Sequence, residues 1–175
     1  MRILNVHERE LTAPAPAVGA LINSLASDQD ALWPRTTWPA MRFDRPLAAG
    51  AIGGHGPIRY AVEEFQPGHM VKFRFLGPRG FNGHHRFDVL TQEDDTAVLR
   101  HTIDMSANGL ALLAWLLAIR PLHDALLEDA LAQAQTSLGL PPVVRPWSLW
   151  VKVLRWLMSA SRARAEHSPS RQGSP

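Results

Sequence analysis

The sequence predicts an α+β chain: an antiparallel sheet, a long helix with one face turned to a core, and a further amphipathic helix. Three observations predict it. Between Ile58 and Met105, apolar and polar residues alternate with period two, as in strands with one solvated face. From Gly109 to Gly139 the period becomes helical. Beyond Leu140 the chain passes through Pro141-Pro142 into a basic, tryptophan-bearing stretch.

At 175 residues, 46% of them hydrophobic, one domain with an appendage is expected: 1–140, then 141–175 as linker, helix and disordered tail. With no cysteine, a disulfide scaffold, thiolate zinc sites and a cysteine nucleophile are excluded. The opening MRILNVHERE has no apolar core of a signal segment, and the longest apolar run, Leu110 to Ile119, is shorter than the ~20 residues of a membrane span. A soluble cytoplasmic protein is expected. The net charge of +2 hides an asymmetry. From Arg145 onward there are six Lys/Arg and one acidic residue, leaving twelve against fifteen, or −3, for residues 1–144. A basic balance that belongs to the tail argues against nucleic-acid binding by the domain.

Residues 2–12 read as a strand. "TAPAPAVGALINSLA" reads as a helix entered through Thr12 as cap, with proline tolerated in the first turn. "SDQDALWP" suggests a short second helix closed at Trp33-Pro34, and "WPAMRFD" a brief strand. Four further strands follow, ended by Pro67-Gly68, Gly77-Pro78 and Glu93-Asp94-Asp95. Keeping the last two apolar faces on one side requires an odd hairpin loop such as 94–96. In the long helical segment Pro121 should kink the chain or start a new helix. There Leu122, Leu126, Leu127, Ala130, Leu131, Ala134 and Leu138 form one stripe, with His123 in its middle and Asp124, Glu128 and Gln135 pointing away.

"LAAGAIGGHGPIRY" raises the question of phosphate binding. Its glycines match neither the P-loop nor the dinucleotide spacing, and a strand rather than a helix follows. They are expected to serve turn and bulge geometry.

The order of elements, the opening "HERELTAPAPAVGALI" and the closing "RPLHDALLEDALAQA" resemble the START-like, or Bet v 1-like, superfamily (SRPBCC, polyketide cyclase/dehydrase-type) over residues 2–138. The resemblance implies a helix-grip fold, in which a curved antiparallel sheet wraps a long C-terminal helix and encloses an apolar cavity open at one end. It implies a small hydrophobic or amphipathic ligand, with lipid carriers, sensors, aromatases and cyclases all among the relatives.

Alternation turns Tyr60, Val62, Val71, Phe73, Phe75, Phe87, Val89, Leu99 and Ile103 inward, together with His85 and His101. With His123 these histidines stand as three separately satisfied core residues, as groups that orient a ligand, or as acid–base catalysts of a cyclase, aromatase or dehydratase. In that last case Tyr60 would orient or protonate a carbonyl. Arg120 and Asp124 flank His123 as i,i+4 partners, and Arg120 joins the candidate ligand contacts. No metal or other cofactor is expected, since no carboxylate shares the face of His85, His101 and His123 and their separations in sequence are arbitrary. A structural or interaction protein with a filled interior is the remaining alternative.

On the tail helix Trp147, Trp150, Val151, Leu154, Leu157 and Met158 form a broad apolar face, beside a stripe that includes Lys152 and Arg155. This face suits its own domain, a second copy of the chain in a homodimer, or a membrane surface.

Overall fold

The computed structural model describes residues 1–93 and 95–166. Among them are seven strands: β1 (Arg2–Leu11), β2 (Arg42–Phe43), β3 (Ile52–His55), β4 (Ile58–Gln66), β5 (Met70–Gly77), β6 (Phe81–Glu93) and β7 (Thr96–Ala107). They form one antiparallel sheet in the order β1-β7-β6-β5-β4-β3-β2, so the first strand lies beside the last. The helices are α1 (Ala15–Ser24), α2 (Gly109–Ala114), α3 (Arg120–Ser137) and α4 (Leu149–Glu166), with a π-helical turn, Trp115–Ile119, joining α2 to α3. This is the α+β helix-grip arrangement: a curved sheet gripping one long helix. By contacts the chain divides into two units, Met1–Arg145 and a second that begins at Pro146.

The core of the first unit lies between the sheet and α3. Tyr60, Val62, Phe73, Phe87, Leu99 and Ile103 are buried on the sheet, and Leu126, Leu127, Ala130, Leu131 and Ala134 on α3. The outward face carries mixed ion pairs, Glu63 with Lys72 and Arg74, Arg100 with Glu8, and Arg2 with Asp104.

Several local features differ from the sequence expectations, each for a physical reason. Thr12 does not cap α1; the cap position is Pro14, whose fixed φ of −65° leads into the first turn. The short helix expected in 27–34 is a set of turns. There the Asp30 carboxylate accepts from the backbone N–H groups of Ala26, Leu32 and Trp33, offering the backbone an alternative to helical bonds. The glycine stretch is partly a strand: Gly53 and Gly54 lie in β3 and pair with both β2 and β4. A Cβ on Gly54 (φ +156°) would sit 2.0 Å from the Ile58 carbonyl oxygen, so only glycine lets the strands approach there.

The β6–β7 hairpin keeps its faces aligned by a bulge rather than an odd loop: Glu93 pairs with Thr96, and the register shifts between Thr91 and Glu93. Asp94, part of that expected loop, lies outside the described residues. Pro121 falls in the first turn of α3, just after the π-helical turn, where the Arg120 N–H bonds back to Trp115. The wider turn absorbs the proline without breaking the helix. By length and composition alone the continuous helix Gly109–Ser137 could cross a membrane, which the length of the Leu110–Ile119 run did not register. Its second half is core, while its first half exposes Leu110, Leu113, Leu116 and Leu117.

Strand β1 reverses the usual rule. Leu4 and Val6 are 65% and 46% exposed, and Asn5, His7 and Arg9 turn toward α3. Their partners are Asp124, Glu128 and Gln135, the residues that the helical stripe sets on the far side. They meet β1 because the sheet curls past the stripe and reaches the flank of α3.

Candidate functional site: a file of histidines between sheet and helix

β6 and β7 bring His85 and His101 together. Their register sets His85 opposite Ile103 and Phe87 opposite His101, so the two imidazoles are diagonal neighbours on one face. His85 Nδ1 lies 3.2 Å from His101 Nε2. His123, in the first turn of α3, holds its ring 5.1 Å from that of His101. Burial first, then the neighbouring imidazoles, pushes His85 and His101 well below the ordinary histidine range, and burial lowers His123 as well.

A neutral imidazole carries one proton, on one of its two nitrogens. Whichever inner nitrogen of the His85–His101 pair donates, the two outer nitrogens then comprise one donor and one acceptor. Those outer atoms, His85 Nε2 and His101 Nδ1, are buried with no hydrogen-bond partner among the described residues, and so is His123 Nε2. Most buried polar groups are paired, so three open nitrogens among adjacent rings are hydrogen-bonding capacity that the described residues leave unused.

The file continues to either side. Toward β3, His55 Nδ1 stands 3.0 Å from the Tyr60 hydroxyl, and the Tyr60 ring meets His85 edge-on at 4.8 Å. Burial lowers His55 to about 3 and raises Tyr60 well above its usual range, so both are neutral. Toward β1, His123 Nδ1 lies 3.5 Å from Asp124 Oδ1, and the same oxygen is 3.0 Å from His7 Nε2. His7 Nδ1 reaches Glu128 Oε1 at 3.2 Å. Burial opposes a charge on His7, yet its bonds to Asp124 and Glu128 outweigh burial and raise its pKa. For Asp124 burial likewise opposes ionisation, and the bonds from His123 and His7 override it and lower the pKa. Arg9 donates to Glu128 Oε2 at 2.9 Å and to Gln135 Oε1 at 2.8 Å, completing a polar grip between β1 and α3. Gln135 also accepts from the Val143 N–H, and Arg145 lies 3.1 Å from Glu128, which ties the proline-rich stretch back onto the helix.

Of the residues singled out from sequence, the structure brings Tyr60, Phe73, His85, Phe87, His101 and His123 into one ring-to-ring cluster. Val62, Leu99 and Ile103 are buried on the same sheet face, and Phe75 is half-buried, 5.0 Å from His85 between ring centres. Arg120 does not face the interior; its side chain is 56% exposed and lies 3.6 Å from Asp124. In the second unit Trp150 and Leu157 are exposed, and the Arg155 guanidinium lies over the Trp147 ring at 4.3 Å. Lys152 is exposed, and Leu154 and Met158 are half-buried.

Sequence reasoning missed His7, His55 and the inward turn of Asp124. The signal for His7 was weak, because "LNV" invites the assignment of Leu4 and Val6 to the core.

This fold is shared with known structures. A solution structure from Thermobifida fusca matches at TM-score 0.61 and 16% identity, over 81% of this chain and 99% of that one. Norcoclaurine synthase from Thalictrum flavum, solved with dopamine and hydroxybenzaldehyde, matches at TM-score 0.59 and 16% identity, over 79% of this chain and 88% of that one. CalU16 from Micromonospora echinospora matches at TM-score 0.55 and 12% identity, over 96% of this chain and 98% of that one. That last match extends beyond residues 2–138. No family model and no curated protein matches the chain. The shared architecture is the Bet v 1-like helix-grip fold.

Proposed function

We propose that the chain binds a small hydrophobic or amphipathic molecule between the sheet and α3, of the size and character of a lipid, polyketide or isoprenoid. The observation that carries this reading is the set of open nitrogens on His85, His101 and His123 within an aromatic interior. One open donor and one open acceptor together match a molecule that carries both a hydroxyl and a carbonyl. Rings held neutral by burial give a carboxylate or ammonium no compensating charge, so a neutral oxygen function is selected. Norcoclaurine synthase has been solved with dopamine and hydroxybenzaldehyde, which supports a small amphipathic ligand, though not its neutrality, by analogy of fold.

The amphipathic α4 supports a peripheral membrane role at the cytoplasmic face, in which the pocket ligand is carried to or from lipid, or sensed there. Native mass spectrometry of the purified chain and of its organic extract tests the binding. A retained neutral amphiphile, lost in the H85F/H101F variant, is the expected result. No retained compound, together with no saturable uptake of an apolar fluorophore, would leave a filled interior and a structural role.

A second reading, acid–base catalysis of the cyclase, aromatase or dehydratase kind, is favoured by the His123–Asp124 contact. A carboxylate on Nδ1 orients the ring and leaves Nε2 free to exchange a proton with a bound molecule. H123Q would then abolish turnover of the retained compound while leaving its binding intact.

A further inference from the structure

Where β1 meets the first turns of α3, His7, His123 and Asp124 come together from two elements far apart in sequence. One nitrogen of each histidine and one carboxylate oxygen of Asp124 all lie within 4.8 Å of one another. Asp124 Oδ1 lies 3.0 Å from His7 Nε2 and 3.5 Å from His123 Nδ1. Metal bonds of about 2.0–2.2 Å set neighbouring ligand atoms about 3 Å apart, so little movement would close the set on an ion. We infer that His7, His123 and Asp124 form a binding site for one divalent first-row transition ion, with Zn²⁺ or Co²⁺ as the probe.

Two further contacts resemble the surroundings of a metal site. Metal-bound histidines usually donate their other ring N–H to a carboxylate, which fixes the ring and raises its basicity. His7 Nδ1 lies 3.2 Å from Glu128 Oε1, and Glu128 is itself held by Arg9. Asn5 donates from Nδ2 to Asp124 Oδ1 at 3.0 Å, and its own Oδ1 is buried with no hydrogen-bond partner among the described residues. That carbonyl is a ready acceptor for water on the ion. Two histidines and one carboxylate also leave coordination positions open, as catalytic rather than structural sites do. The sequence expectation of no metal concerned His85, His101 and His123, with no carboxylate on their face and arbitrary separations; the set formed by His7, His123 and Asp124 is a different one and includes a carboxylate.

The inference is independent of the ligand reading, because metal binding is measured with no organic molecule present. A bound ion would occupy the His123–Asp124 contact and replace proton transfer there with Lewis-acid chemistry.

The test is titration of the full chain, stripped with chelator, with Co²⁺ followed by its visible absorption and with Zn²⁺ by calorimetry. One equivalent with nitrogen-and-oxygen ligand bands is expected, and H7Q and D124N should weaken it at least tenfold. H69Q, at an exposed histidine elsewhere, should bind as the parent does. Binding unchanged in H7Q and D124N, or no saturation below millimolar metal, overturns the site. Should those variants fail to fold, anomalous diffraction from Zn²⁺-soaked crystals of the parent decides. A peak among His7, His123 and Asp124 supports the site, and its absence refutes it.

Discussion

His85 Nδ1 and His101 Nε2 face each other at 3.2 Å across β6 and β7, and the second nitrogen of each ring has no hydrogen-bond partner among the described residues. Replacing one ring by phenylalanine preserves most of its shape but strands the inner nitrogen of the other. A buried unpaired group costs about 1–3 kcal/mol, whereas replacing both partners by apolar groups can be nearly neutral. H85F and H101F should therefore each destabilise the fold, and H85F/H101F should cost clearly less than their sum. Chemical denaturation of the three variants measures the coupling, and strict additivity would refute the paired arrangement.

The buried histidines also fix the response to acid. His55, pushed down by burial from 6.5 to about 3, stays neutral in the folded chain where the unfolded chain takes up a proton. Its folded pKa is depressed, so stability is complete above about pH 6.5 and falls as the pH drops toward 3. Each such histidine gives a slope of about 1.4 kcal/mol per pH unit, or about 2 kcal/mol from His55 alone at pH 5. H55Q should flatten the dependence of stability on pH between 6.5 and 4 by one proton. An unchanged slope would show that His55 takes up its proton in the folded state.

Strand positions and the helical stripe were legible because each reports a single face: alternation put His85 and His101 inward, and period 3.6 put His123 with Leu126 and Leu127. What was not legible arises where two elements share a flank. Asp124 lies 100° from His123 around the helix, which reads as the solvated side until β1 curls over it and supplies His7. His55 was hidden for a different reason. Its neighbours Gly53 and Gly54 signal a turn by composition, yet a Cβ on either would strike backbone, Arg42 O or Ile58 O at 2.0 Å. Only the close strand approach explains them, and that approach carries His55 to Tyr60.

The grip between β1 and α3 turns on Glu128, which accepts from His7 and Arg9 and lies 3.1 Å from Arg145. The Arg9 and Glu128 side chains are only 13% and 15% exposed, so removing the carboxylate leaves a largely buried guanidinium uncompensated. Breaking a buried pair in this way costs about 3–5 kcal/mol, and these exposures favour the lower end. E128A should lower stability by about 3 kcal/mol, and R9A/E128A should recover part of it. Denaturation midpoints provide the measurement. A loss below about 0.5 kcal/mol in E128A would place the pair among surface ion pairs of little weight.

The tail carries the last prediction. On α4, Leu149, Trp150, Val153, Trp156 and Leu157 expose large apolar surface beside Lys152. Residues from Arg145 onward hold six basic groups against one acid, while residues 1–144 are net negative. Each basic side chain near an anionic bilayer adds about 1 kcal/mol, and buried apolar side chains add to that. The full chain should therefore sediment with vesicles rich in anionic lipid at low salt, and less so as salt rises and screens the charge. W150S/W156S should weaken binding at all salt concentrations. Truncation after Arg145, at the division between the two units, should abolish it and leave a folded domain by circular dichroism. If the full chain stays in the supernatant at low salt while W150S/W156S changes its oligomeric state, the apolar face meets a second copy of the chain instead.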